Sequence, residues 1–377
     1  MEPQVPELVH KYSGKSLFAT TDTVDATKNS EMVLVIVPTP SHSNGAFSNE
    51  YVLDACSDIG RGLMQSDDYR VVVIVSTVMP GTTNGIVRDR LERVSGKRAG
   101  EDFGLVYSPE FIRQGSIVQD FACPDQILIG QLDNASGSAV ERYYASIVIN
   151  SPAFRHMSIV SAEIAKIGLN TALVSRMALA NQIGWICSGY DGANAVDVME
   201  SIGSDSRIGR MMLGPGAVWG GPCLPRDARA LLFAGESRHA PTAFIDALDH
   251  CRHEQTLRLA KFVSSLADDG TVAILGLTYK VGVDITEESA GTMLADSLSR
   301  IHEVWTHDPV ARPEPTLEQC VERARVVVIT TPWPEFEKLE SVCEGKIVVD
   351  MWGMFDHGRL NCKYIRFGEG SSWPWPM

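Results

Sequence analysis

The chain has 377 residues, 44% hydrophobic and 21% charged, with a formal net charge of −14. That length exceeds what one hydrophobic core serves and predicts two or three domains, while no apolar run reaches the ~18 residues of a membrane helix. The negative balance argues against a nucleic-acid or anionic-membrane surface, because both need a basic field to displace counterions.

The N-terminal MEPQVPELVHKYSGK has neither the basic start nor the apolar core of a signal peptide, so a cytoplasmic protein is expected. Eight cysteines (Cys56, Cys123, Cys187, Cys223, Cys251, Cys320, Cys343 and Cys362) contain no CxxC pair, which predicts free thiols and no metal site.

In chain order, MVLVIVPTP (32–40) reads as a strand, NEYVLDACSDIGRGLM (49–64) as a helix with Asn49 as its cap, and RVVVIVSTVMPGT (70–82) as a second strand. Both strands are continuously apolar, not alternating, which suits a parallel sheet buried on both faces. A nucleotide crevice is expected at their carboxyl ends. SPEFIRQGS (108–116) is a loop carrying Glu110, either a base for water or a turn residue.

From Ile159 to Tyr190 the apolar positions recur at helical spacing, predicting a long, largely buried spine helix and a dimer surface. On it Glu163, Lys166 and Asn170 share one face. The lysine and asparagine could polarise a carbonyl or alkoxide oxygen; the alternative is a solvated helix face.

GPGAVWGGPCLPRDARAL (214–231) then places Cys223 after Gly220 and Gly221 and ahead of a helix in whose first turn Pro225 and Asp227 lie. A helix N-terminus stabilises a thiolate, so Cys223 reads as a nucleophile, against the alternative of a buried structural cysteine. A further helix, 241–266, leads into TVAILGLTYKVGVD (271–284), a strand and glycine-containing loop, and RVVVITTPW (325–333) is another strand. Its likeness to 33–40 hints at two related α/β domains.

The segments VPTP (37–40), STVMPGTT (76–83), YSPEFIRQGSIVQDFACPDQILIG (107–130), AEIAKIGLN (162–170), GSDSRIG (203–209), GGPCLPRD (220–227), ILGLTYK (274–280) and HDPV (307–310) together resemble the UDP-glucose/GDP-mannose dehydrogenase family. The resemblance implies an α/β fold in which two Rossmann-like parallel-sheet domains, 1–157 and 263–377, are joined by a helical central domain, 158–262. It also implies NAD-dependent, four-electron oxidation of the C6 alcohol of UDP-glucose or a related nucleotide-linked hexose, a reaction of cytoplasmic polysaccharide biosynthesis.

In that reading Cys223 carries a thiohemiacetal and then a thioester. Lys166, Asn170 and Asp227 stabilise oxyanions and handle protons, Glu110 is the base for hydrolysis, and Thr77 positions water. The cofactor contacts are Val37, Pro38, Thr39, Pro40, Ser76, Thr77 and Gln114. The substrate contacts are Phe111, Ile112, Arg113, Lys166, Asn170, Arg207, Gly220, Gly221 and Lys280, with Arg207 reaching into the second subunit of a homodimer.

The sequence departs from the family pattern in having no GxGxxG turn, and in Gln114, Glu287 and Trp352, which stand where a glutamate and two arginines are usual. That turn holds the dinucleotide pyrophosphate. An N-terminally incomplete first domain is therefore expected. The alternative function is a non-redox family member that binds a nucleotide sugar without NAD-dependent turnover.

Overall fold

The computed structural model describes residues 2–268 and 270–370. The chain divides into two compact units, Met1–Leu169 with Ala230–Pro241 and Asn170–Arg229 with Thr242–Met377. Residues 158–262, read from the sequence as a helical centre, are shared between them.

Unit one contains α1 (Val5–Tyr12), α2 (Thr23–Lys28), β1 (Met32–Val35), α3 (Glu50–Met64), β2 (Arg70–Ile74), α4 (Arg88–Ser95), β3 (Phe103–Tyr107), α5 (Ile117–Ala122), β4 (Gln126–Gln131), α6 (Asn134–Ala145) and β5 (Ala153–Ser158). The start of α7 (Ile159–Ser188) also belongs to it. The sheet order is β1-β2-β3-β4-β5, parallel except for the antiparallel β3–β4 pair.

The apolar run of β2 divides between the sheet's two faces. Val72 and Ile74 pack with Ile59, Leu63 and Leu91 of α3 and α4, whereas Val71 and Val73 pack with Val140 and Tyr144 of α6. Each such burial contributes about 1.5–3 kcal/mol, and with both faces covered no polar position is tolerated.

Two expectations need correction. Strand β1 is not buried on both faces: Met32, Val33 and Leu34 are half-buried and Ile36 is 70% exposed. It lies at the sheet edge with β2 as its neighbour, so half its surroundings are missing. Asn49 does occupy the N-cap position of α3, but its side chain makes no capping bond.

Unit two contains the remainder of α7, then α8 (Ala195–Ser204), α9 (Leu224–Glu236, as far as Arg229), α10 (Ala243–Ala267), β6 (Val272–Leu275), α11 (Ala290–Leu298), β7 (Val304–His307), α12 (Leu317–Arg323), β8 (Val326–Ile329), α13 (Leu339–Val342), β9 (Ile347–Asp350) and β10 (Lys363–Arg366). Its sheet, β10-β9-β8-β6-β7, is parallel throughout.

Here too one face, with Val272, Ile274, Val326 and Val328, packs on α10 and α11, and the other, with Ala273, Leu275, Val327 and Ile329, packs on α12 and Phe336. The strand order reverses at β6, which puts a ligand crevice at the carboxyl ends of β6 and β8. Among the described residues no helix is long and apolar enough to cross a membrane.

Candidate active site

In unit one the loops leaving β1 and β2 are tied together. Ser76 Oγ accepts the Val37 N–H at 2.7 Å, and Thr39 Oγ1 donates to the Thr77 carbonyl at 2.8 Å. Thr39 and Ser76 are buried, and Thr77 is half-buried. The turn after Thr77 is held by Glu163 on α7, whose carboxylate accepts the N–H groups of Gly81 at 2.6 Å and Thr83 at 2.8 Å. Glu163 is 0% exposed and Lys166 8% exposed, so this part of α7 is not the solvated face that spacing alone allowed.

Glu110, in the loop after β3, accepts a hydrogen bond from Tyr144 Oη of α6 at 2.8 Å. Burial raises its carboxyl above the usual range, with the Tyr144 bond and the Lys166 charge opposing. A base is most effective when its pKa approaches the working pH, and burial moves Glu110 that way. Lys166 Nζ donates to the Glu110 carbonyl and lies 4.6 Å from the centre of the Phe111 ring. Arg113, in contrast, points outward and pairs with Asp120 at 2.6 Å. Ile112 is exposed.

In unit two Cys223 is exposed and immediately precedes α9, as its sequence suggested. Its carbonyl accepts the Asp227 N–H at 2.9 Å, closing the first turn of the helix. Asp227 is buried and takes a hydrogen bond from Asn170 Nδ2 at 2.6 Å, which fixes the Asn170 amide.

Gly221 has φ +85° and donates its N–H to the Glu287 carbonyl at 2.9 Å, and a Cβ there would meet the Tyr279 ring at 2.7 Å. Lys280 follows β6 at the carboxyl end of the sheet. Arg207, in the loop after α8, is exposed and paired with Asp205. Trp352 is 39% exposed, with its ring against Gly216 and Nε1 donating to the Thr330 carbonyl at 2.9 Å.

Residues 1–148, 160–252 and 273–357 match the family models described as UDP-glucose/GDP-mannose dehydrogenase family, NAD binding domain, central domain and UDP binding domain. The chain belongs to the UDP-glucose/GDP-mannose dehydrogenase family. It is 32% identical to the UDP-glucose 6-dehydrogenase AglM of Haloferax volcanii, over 93% of this chain and 85% of that one. To the GDP-mannose 6-dehydrogenase of Azotobacter vinelandii it is 31% identical, over 94% and 86% respectively. Among solved structures, a UDP-glucose dehydrogenase from Pyrobaculum islandicum superposes with a TM-score of 0.87 at 29% identity, covering 99% of this chain and 87% of that one.

Membership makes the chain an NAD-dependent nucleotide-sugar dehydrogenase. The loops of unit one suit such a cofactor: at the carboxyl ends of β1 and β2 they offer small hydroxyl side chains, each hydrogen-bonded to the backbone of the other loop. The alternative of a non-redox nucleotide-sugar binder is not favoured by these relatives.

Within unit one the structure brings Glu110, Phe111 and Lys166 together, and joins Val37 and Thr39 to Ser76 and Thr77. Within unit two it joins Asn170 to Asp227 and sets Gly220 and Gly221 against the chain at 287–289. Sequence reasoning missed Tyr144 as a partner of Glu110, Glu163 as the holder of the turn after β2, and an ion cluster of Arg229, Asp249, Arg252 and Glu288. For the cluster a signal existed: Asp249 and Arg252 stand at i, i+3 on α10.

Proposed function

We propose that the chain is a UDP-glucose 6-dehydrogenase that works through a covalent intermediate on Cys223, with the three-part functional division 1–157, 158–262 and 263–377. The observation that carries this reading is the exposed Cys223 at the start of α9, one turn from the buried Asp227 and its hydrogen-bonded partner Asn170. Likeness to the Haloferax volcanii enzyme over most of both chains supports UDP-glucose as substrate. GDP-mannose is the second reading, supported by the Azotobacter vinelandii relative.

NAD, when bound, would supply the hydride-accepting chemistry of both oxidations, and the residues proposed to hold it are Val37, Pro38, Thr39, Pro40, Ser76, Thr77 and Gln114. Cys223 Sγ, at the head of α9, adds to the aldehyde carbon and stays bonded through the second oxidation, so the reactive aldehyde is never released. Asn170, oriented by Asp227, and Lys166 supply N–H donors to the oxygen that becomes negative. Glu110 takes a proton from the water that cleaves the thioester, returning the thiol and releasing the acid.

Arg207, exposed in its own subunit, is proposed to serve the second subunit of a homodimer. The exposed Leu179 and Ile186 on α7, with the exposed Tyr190 two residues past its end, support that helix as the dimer surface.

The test is Cys223→Ala in the full chain, with NADH formation followed on UDP-glucose and on GDP-mannose. Acid formation is expected to disappear while calorimetric binding of the nucleotide sugar stays near wild type. An unimpaired variant would sink the thioester mechanism, and wild-type turnover of GDP-mannose alone would reassign the substrate.

A further inference from the structure

The ion cluster of unit two lies directly behind the segment that carries the proposed nucleophile. Glu288 receives Arg229 from α9 in a two-pronged pair, Nη1 to Oε1 at 2.8 Å and Nη2 to Oε2 at 2.6 Å. It also receives Arg252 from α10 at 2.5 Å. Asp249 shares both arginines, at 3.4 Å and 3.2 Å, so two cations face two carboxylates. Arg252 is 1% exposed, and a cation so buried needs its partners.

The backbone of Glu288 is equally constrained. It sits at φ 48°, a left-handed conformation that costs a non-glycine residue about 1–2 kcal/mol. Such a conformation persists only where the surroundings over-determine it.

What this conformation achieves is contact with the glycine pair. A Cβ on Gly220 would lie 2.4 Å from the Glu288 carbonyl oxygen and 2.8 Å from Ser289 Cα, so only glycine admits the approach. The next residue, Gly221, is hydrogen-bonded to the Glu287 carbonyl. Two residues later comes Cys223, and then the helix that carries Arg229.

We infer that Glu288 is a positioning residue for Cys223, gripping the chain on both sides of the thiol: its carbonyl backs Gly220 before it, beside the Glu287 carbonyl that holds Gly221, and its carboxylate holds Arg229 after it. The inference rests on the proposed role of Cys223 as nucleophile. A two-pronged arginine–carboxylate pair fixes direction as well as distance. Loss of the grip lets the loop and the first turn of α9 shift relative to one another, and a displacement of about 1 Å at a reacting atom costs on the order of 10²-fold in rate.

The experiment uses the full chain with Glu288→Gln, and the pair Arg229→Lys and Arg229→Met as a second route should Glu288→Gln fail to fold. Two quantities are read on protein shown to be folded by circular dichroism: kcat and KM for NADH formation with UDP-glucose, and the iodoacetamide alkylation rate of Cys223 relative to Cys251 in the same molecule.

Glu288→Gln is expected to lower kcat by about 10²-fold while KM stays within about 2-fold, and to change the Cys223-to-Cys251 alkylation ratio by at least about threefold. Arg229→Lys, which keeps the charge, should retain more activity than Arg229→Met. An unchanged alkylation ratio, or a rise in KM with kcat intact, would overturn the inference. Failure of the nucleophile reading would show separately, as activity surviving in Cys223→Ala, while the alkylation ratio still reports whether Glu288 sets that thiol.

Discussion

Replacing Asp308 with Asn changes one oxygen to an amide nitrogen in a nearly isosteric side chain, and the surroundings of Asp308 make the cost calculable. The side chain is fully buried after β7. Its Oδ2 accepts the N–H groups of Leu277 and Thr278, both at 2.8 Å, the Thr278 hydroxyl at 2.9 Å and Trp333 Nε1 at 3.2 Å. Its Oδ1 accepts Val310 N at 3.0 Å and Ala311 N at 2.9 Å. Every neighbour is a donor, and the carboxylate joins the carboxyl end of β6 to the turn after β7.

An asparagine can satisfy at most one of these two sets. In the cheaper orientation its Nδ2 confronts the N–H groups of Val310 and Ala311, so two part-buried hydrogen bonds to a charged acceptor are lost, at about 1–3 kcal/mol each. The expected loss is therefore roughly 2–6 kcal/mol, or about 4–24 °C in the melting temperature of a unit of this size.

The pH dependence carries a sign. Burial alone would raise the Asp308 carboxyl, but the hydrogen bonds from Ala311, Thr278, Val310 and Leu277 outweigh it and hold the group below the usual range. A carboxyl held lower in the folded than in the unfolded chain contributes stability that is full above the unfolded value of about 3.9 and is lost as pH falls through the folded value. Urea unfolding followed by circular dichroism should thus show a wide gap between wild type and Asp308→Asn at pH 7 that narrows in acid. Equal midpoints at neutral pH, or a gap that widens toward acid, would refute the reasoning. Because Lys280 stands two residues past Thr278, the variant should also raise KM for UDP-glucose more than it lowers kcat.

Two other predictions follow from single contacts. Tyr144→Phe removes the hydroxyl that opposes the burial of Glu110, so the acid limb of the kcat profile should move to higher pH, and a shift to lower pH would show that Tyr144 does not stabilise the carboxylate. Gly221→Ala and Gly282→Ala both place a side chain at φ +85°, at about 1–2 kcal/mol each, but only at Gly221 does the new Cβ meet a ring, that of Tyr279 at 2.7 Å. Urea midpoints should rank Gly221→Ala below Gly282→Ala, and equal losses would mean that the Tyr279 ring yields at no cost.

The sheets were legible because their signal is local. Val71 to Ile74 and Val326 to Ile329 are apolar without interruption, and a strand covered on both faces has no other composition open to it. The same rule misread β1, whose run looks alike but lies at an edge, because coverage depends on which strand stands next to it. Cys223 ahead of a helix was legible for a similar reason: Pro225 and Asp227 mark a helix start within four residues.

The sequence by itself determined the family, through motifs in fixed order, together with the two α/β sheets, the long α7 and the helix start behind Cys223. These rest on periodicity and on spacings of a few residues. Only the tertiary structure decided which carboxylates are buried and what each one holds. Glu110 meets Tyr144 across 34 residues, Glu163 meets Gly81 across 82 and Glu288 meets Arg229 across 59. The physical reason is that desolvation and hydrogen bonding are set by neighbours in space. A glutamate in a loop reads alike whether it is a solvated turn residue or a buried base, until the fold brings a tyrosine hydroxyl to its oxygen.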